Sequence, residues 1–228
     1  VPLSHDEPVT TTRGRPRLSS RRRPGVSARD EILDAAAELF TTRGYANTST
    51  RTIAEAVGVR QASLYHYFKT KDDILSALLH QTVTPSLRFA EQLTERQPAL
   101  TPAQQLHALA VFDGTQLLTG RWNLGALYLL PELREARLAS FWSDRERLRL
   151  HYLQFSRAAT AVDDDTADLP FRLVEALVNI RAADAGERTE PGSLLVDRVA
   201  DACLRVLGVP DESITTVREH TARLLVAH

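Results

Sequence analysis

Methionine is missing altogether from this chain of 228 residues, cysteine occurs once, and aromatic residues make up only 6% of it. Without methionine, the initiator is expected to be missing or to have been read from a non-ATG codon. The single cysteine, Cys203, excludes an intrachain disulfide framework and a cysteine cluster for zinc, so a reducing cytoplasm is the expected compartment. No apolar run approaches the roughly 18 residues of a membrane helix. The start, Val1 to Asp6, lacks the apolar stretch of a secretory leader. G-x-S-x-G, P-loop, G-x-G-x-x-G and H-E-x-x-H patterns are all absent. The histidines His5, His66, His80, His107, His151, His220 and His228 show no tight metal spacing. Asp163, Asp164 and Asp165 read as a solvated loop leading into a helix. The expectation is neither an enzyme nor a metal protein, with no cofactor. Strand alternation with hairpin signals is also lacking, as is any fixed-period repeat. What remains is helical periodicity, and the expected fold is all-α.

Charge is unevenly spread. Thr12 to Arg29 holds Arg13, Arg15, Arg17, Arg21, Arg22, Arg23 and Arg29 without an acid. Residues 1–80 carry 12 basic against 9 acidic side chains, and the remainder carries 16 against 20. A basic front and an acidic back suit a protein that touches phosphate at one end, although a solubilising tail would look the same.

Residues 1–26, rich in Pro, Arg, Ser and Thr without apolar periodicity, are expected to be disordered without a partner. Ser27 and Asp30 have capping-box spacing and open a first helix whose stripe is Ile32, Leu33, Ala36, Leu39 and Phe40, with Gly44 ending it. Ser49 or Thr50 caps a second helix running to Val57, and Gly58 makes the turn. A third helix, about Arg60 to Phe68, is short. Thr70 and Asp73 cap a longer helix from Lys71, in which Pro85 predicts a kink or break at a cost of about 3 kcal/mol. Thr101 and Pro102 restart the pattern, which then predicts helices over 102–119, 122–130, 132–161, 169–185, 191–207 and 212–226. The expected division is a basic arm over 1–26, a compact helical unit over 27–75, and a helical domain over 76–228.

Helix, glycine turn and short polar-faced helix over 51–69 spell a helix-turn-helix, whose second helix enters the DNA major groove. Leu64 and Phe68, at i and i+4, face inward; Ala62, Ser63 and His66 then point outward, flanked by Tyr65 and Tyr67. Arg60 and Gln61 lie at the end that meets base edges. Gln61 can pair bidentately with adenine, Ser63 can bond several bases, and Ala62 permits close approach. Tyrosine hydroxyls and Lys69 or Lys71 suit phosphate oxygens. Thr48, Thr50 and Arg51 open the preceding helix, whose N-terminal amides can also hold a phosphate.

Residues 27–75 resemble the DNA-binding domain of the TetR family of bacterial repressors. The resemblance is carried by Ile32, Leu33, Asp34, Ala35, Ala36, Leu39, Phe40, Gly44, Tyr45, Thr48, Ser49, Ile53, Ala54, Ala56, Gly58, Val59, the run Leu64 to Phe68, and Lys71. It implies an all-α homodimer with a C-terminal domain that binds a small molecule and releases the operator. It carries DNA contacts over to Thr50, Arg51, Gln61, Ala62, Ser63, Tyr65, Tyr67 and Lys71. Arg60 departs from the serine common in the family, so the third helix lacks that N-cap and Arg60 is free for a base or phosphate. The run Arg13 to Arg17 resembles the core of an AT-hook, whose arginines lie in a narrow A·T minor groove; a nonspecific basic arm and a plain disordered tail are the other readings.

Segments 171–183 and 194–207 each show two apolar stripes where a surface helix needs one. Leu173, Leu177 and Ile180 in the first, and Leu195, Val199, Ala202 and Val206 in the second, are the expected four-helix dimer interface; burial in one monomeric core is the alternative. Such a dimer would place recognition helices on half-sites roughly 34–36 Å apart, in a near-palindromic operator. The expected effector pocket lies over 106–155, with His107, Phe112, Gln116, Trp122, Tyr128 and Trp142 as lining residues, and Gly114, Gly120 and Gly125 leaving room; plain core is the other reading for these aromatics. The expected partners are thus duplex DNA, a second copy of the chain and a small molecule, with no membrane. The rival readings are a ligand-independent DNA-binding regulator or activator, and an enzyme that borrows the N-terminal module.

Overall fold

The computed structural model describes residues 27–95, 99–129, 138–160, 165–183 and 192–226. Arg13, Arg15 and Arg17 of the basic arm, and Asp163 and Asp164, lie outside the described residues. Within them every regular element is helical: α1 (Ala28–Arg43), α2 (Thr50–Val57), α3 (Gln61–Tyr67), α4 (Lys71–Glu95), α5 (Pro102–Thr119), α6 (Ala139–Thr160), α7 (Leu169–Ala183), α8 (Gly192–Arg205) and α9 (Asp211–Val226), with short 3-10 segments at Leu124–Leu129 and Asp165–Asp168. The segment expected as a helix over 122–130 is one of these 3-10 turns.

Helix starts follow local side-chain chemistry. Ser27 and Asp30 form a reciprocal capping box on α1, Ser49 caps α2, and Thr101 with Gln104 caps α5 behind Pro102. Thr70 and Asp73 exchange the same pair of bonds at the start of α4, at 2.9 and 3.1 Å. Gly58 ends α2 in the left-handed conformation that only glycine adopts cheaply, and its N–H reaches the carbonyls of Ala54 and Glu55.

α4 runs through Pro85 without the expected break. Buried side chains on both sides of the proline explain it: Leu78, Leu79 and Val83 precede it, and Leu87, Phe89, Ala90 and Leu93 follow. α4 packs along its length on α1, α5 and α6, and burying seven such groups outweighs the local cost of the lost hydrogen bond.

α1, α2 and α3 close around Ile32, Phe40, Ile53 and Leu64, all at most 2% exposed. α5 is the axis of the remainder and packs against α4, α6, α7, α8 and α9. Its one glycine fits that role, since a Cβ at Gly114 would lie 3.0 Å from Leu177 and 3.2 Å from Val196. Gly125 is tighter still, with a Cβ position 2.5 Å from Val178. These two glycines therefore permit close packing rather than leaving the open space expected of them.

A candidate nucleic-acid interface and sensor cleft

Leu64 and Phe68 turn inward at 0% and 4% exposure, and the rest of α3 follows by rotation. Gln61, Ala62, Tyr65, His66 and Tyr67 are exposed and Ser63 is half-buried at the rim. Tyr65 and Tyr67, at 40% and 49%, are among the most exposed large apolar side chains of the described residues. No acid stands on α3. Arg60 precedes it in extended conformation with no side-chain cap bond, and its side chain is exposed.

The N-termini of α2 and α3 are tied together on this face. Gln61 Nε2 donates to Thr50 Oγ1 at 3.1 Å and to Tyr65 Oη at 3.2 Å, and the two hydroxyls are themselves 3.2 Å apart. This triangle holds Gln61 before any base is met. Arg51 is exposed and paired with Glu55 at 2.9 Å, a bond that a phosphate would have to replace. Lys69, just after α3, is also exposed.

Two expected interface residues are placed otherwise. Thr48 is 2% exposed, and its hydroxyl donates to the carbonyls of Leu39 and Gly44, at 3.3 and 2.9 Å. Its side chain closes the α1–α2 turn and cannot reach a phosphate. Lys71 is half-buried; its ammonium donates to the Tyr45 carbonyl at 2.9 Å and sits 4.0 Å from the Tyr45 ring centroid, while the Tyr45 hydroxyl bonds Asp72. Lys71 therefore anchors α4 to the turn.

The expected sensor residues do not converge on one pocket. Gln116 and Trp122 line an open cleft of about 230 Å3, with Gln81, Thr119, Gly120 and Arg181 among its other walls. Tyr128 lies beyond Thr82, to which its hydroxyl is bonded, at a second void of only about 10 Å3. Phe112 stacks on Phe89, and Trp142 meets Phe141 edge to face away from the cleft. His107 is a core histidine: fully buried, it bonds Asp201 at 3.2 Å and Thr221 at 2.9 Å, joining α5 to α8 and α9. Desolvation lowers its pKa and favours the neutral ring.

Asp113 escaped the sequence reading. It accepts hydrogen bonds from Ser86 Oγ at 2.7 Å and Tyr152 Oη at 3.0 Å inside the bundle, next to the Arg145–Glu175 pair. Burial pushes its pKa up to about 6. The available signal was an acid set between Ala110 and Leu117 on the buried stripe of α5. Asp34 was also missed as a contact; it lies on α1 and accepts from the Trp122 indole at 2.9 Å.

Of the expected dimer residues, Leu177 is fully buried within its own chain, against Gly114. Leu173, Leu195, Val199 and Ala202 are half-buried, and Ile180 and Val206 are each 38% exposed. Leu194, at 39%, adds to the apolar surface on α8. Among the described residues no helix is long and apolar enough to cross a membrane, and no three His, Cys, Asp or Glu groups are placed to hold a metal ion. Cys203 is fully buried, with its thiol pushed up to about 12 by desolvation.

Comparison with known proteins agrees with this geometry. The pattern of the bacterial regulatory proteins of the tetR family matches residues 32–78, from α1 into α4. The crystal structure of Mycobacterium smegmatis AmtR superposes with a TM-score of 0.81 at 49% identity, covering 90% of this chain and 98% of that one. A fatty acid metabolism regulator protein of Bacillus subtilis is 33% identical over 108 residues, 47% of this chain and 54% of the relative. The HTH-type transcriptional repressor KstR2 of Mycolicibacterium smegmatis is 43% identical over 84 residues, 37% of this chain and 40% of the relative. The chain thus spans about half or less of the curated relatives it matches. Near-complete coverage of the AmtR chain at that identity settles the relationship, and the chain belongs to the TetR family of bacterial transcriptional regulators, DNA-binding proteins rather than enzymes.

Proposed function

We propose that the chain is a repressor that binds a near-palindromic operator as a homodimer and is released by a compact polar molecule. The observation that carries the reading is the acid-free outer face of α3, with Gln61 already held by Thr50 and Tyr65 at its leading end. Gln61, Ala62 and Ser63 meet base edges, with Arg60 free for a base or phosphate; Thr50, Arg51, Tyr65, Tyr67 and Lys69 hold phosphates. The unit over residues 27–75 forms the DNA-binding domain, and 76–228 the effector and dimerisation domain. The protein works in the cytoplasm, where its DNA is. The repressor reading takes support from a relative that bears that name.

Dimerisation is supported by exposed Ile180 and half-buried Leu173 on α7, exposed Leu194 and half-buried Leu195, Val199 and Ala202 on α8, and exposed Val206 just past the end of α8. The effector reading is supported by the cleft beside Trp122. Its volume, about 230 Å3, lies below the range usual for drug-sized ligands, and its walls carry the side chains of Gln81, Thr82, Gln116 and Thr119. A ligand preferring the operator-incompetent dimer about 100-fold would weaken DNA binding by roughly 2.7 kcal/mol. α4, which reaches from the Tyr45 turn to the cleft, is the lever. The near-filled interior around Tyr128 favours a second reading, regulation or activation without a ligand.

Selection from random duplexes tests the proposal. Recovered sites should be inverted repeats with centres roughly 34–36 Å apart or a multiple of it. Recovery of single, asymmetric sites would overturn the dimeric reading. A screen of compact polar compounds on the winning duplex then separates ligand release from ligand-independent regulation.

A further inference from the structure

Trp122 stands in two places at once. It lines the cleft beside Gln116 and Gly120, and its indole N–H donates a 2.9 Å hydrogen bond to Asp34 on α1. The Arg121 guanidinium reaches the same carboxylate at 3.3 Å and lies 4.9 Å from the Trp122 ring centroid. The Asp34 side chain is only 13% exposed, which shields its charge-assisted bond to the indole, whereas the Arg121 side chain is 56% exposed. The other side of the segment is also fastened: Arg181 of α7 donates to the carbonyls of Leu117 and Gly120 where α5 ends. α1 packs on α2, and α2 on α3.

We propose that Trp122 is a positioning residue that reports the state of the cleft to α3 through Asp34. A compact polar ligand engaging the cleft wall displaces the indole, opens its bond to Asp34 and releases α1 from the C-terminal helices. This rests on the regulator reading above, and it adds to the α4 lever a second route through α1. A small motion suffices, because a hydrogen bond of this kind is lost within about 1 Å of displacement.

Linkage makes the route testable without knowing the effector: if the cleft wall acts on the operator site, operator binding must act on the cleft wall. Trp122 and Trp142 are the only tryptophans of the chain. The full-length Trp142→Phe protein therefore carries Trp122 as its sole indole and is titrated with the selected duplex. The expected result is a saturable change in tryptophan emission and acrylamide quenching that tracks operator occupancy. In Asp34→Ala/Trp142→Phe, which lacks the acceptor, the duplex still binds, with affinity changed roughly three- to tenfold, and the emission change disappears. In chains that keep Trp142, Asp34→Ala and Trp122→Phe should shift operator affinity in the same direction, and combining them should give less than the sum, because both remove the bond between indole and carboxylate while Asp34→Ala also removes the Arg121 pair.

Amide hydrogen exchange of the unsubstituted chain gives a parallel reading, with altered protection over residues 119–125 on operator binding. Operator saturation with unchanged emission and unchanged exchange over 119–125 would overturn the relay while leaving the regulator reading in place. Failure to bind any duplex would remove both.

Discussion

The amide of Gln61 lies 3.1 Å from the hydroxyl of Thr50, across the turn that joins the two helices. One is the leading residue of α3 and the other the first of α2, so the bond fixes how the two N-termini face a common backbone. With Tyr65 completing the triangle, Gln61 enters an encounter with its rotamer already chosen. Its ordering cost is thereby partly met in the free protein.

Gln61→Ala should cost about 1–3 kcal/mol of operator affinity and relax sequence preference at one position in each half-site. Lys69→Ala should weaken all duplexes nearly equally and reduce the salt slope by about 1. Competition titrations at several salt concentrations distinguish the two. Equal loss of specificity in both variants would show that Gln61 does not read a base.

Thr48 should behave as a packing residue. Thr48→Val removes the hydroxyl's bonds to the Leu39 and Gly44 carbonyls and should lower unfolding stability by about 1–2 kcal/mol, while operator affinity of the folded protein stays unchanged. Thr48→Ser should restore stability. Loss of affinity without loss of stability in Thr48→Val would contradict the inward placement.

Asp113 should make the protein less stable as pH rises. Its folded pKa of about 6 lies above the ordinary 3.8, so between those values the native state binds more protons than the unfolded one. The favourable contribution is complete below about pH 4 and is lost as pH rises through about 6, a difference on the order of 3 kcal/mol. Asp113→Asn should flatten denaturant-measured stability over that window and be more stable than the parent at pH 7.5. An identical pH dependence in parent and variant would refute the assignment.

Val206→Glu should produce monomers. Across a two-fold axis the substitution places a pair of like charges in an apolar contact, at a cost of several kcal/mol. Sedimentation should show a species of half the mass, and operator affinity should fall more than tenfold. A dimer that survives Val206→Glu and also Ile180→Glu would place the interface elsewhere.

Which features were legible depended on how local their causes are. Capping pairs such as Ser27–Asp30 and Thr70–Asp73 lie three residues apart and were readable directly. The inward pair Leu64 and Phe68 followed from helical period alone, and so did the outward face of α3. His107 was not readable, because its partners Asp201 and Thr221 stand 94 and 114 residues away. Thr48 has the composition of an interface residue, and only the fold of the α1–α2 turn reveals the carbonyls it faces. Gly114 and Gly125 looked like room for a ligand, yet the same missing Cβ serves close packing against Leu177 and Val178. Of the kink or break expected at Pro85, the break is absent, because a local rule met a long buried face. Trp122 was recognisable as a cleft residue, but its bond to Asp34 depends on the three-dimensional meeting of α1 with the segment after α5.

The most direct test of the central claim is the salt dependence of the dissociation constant of the full chain for its selected duplex, beside a scrambled duplex of equal length. The selected duplex should bind about a thousandfold or more tighter, and log affinity should fall linearly with log salt. Introducing Ala62→Glu on the outer face of α3 should abolish the preference. Equal affinity for the two duplexes, or a preference untouched by Ala62→Glu, would contradict the placement of α3 in the major groove.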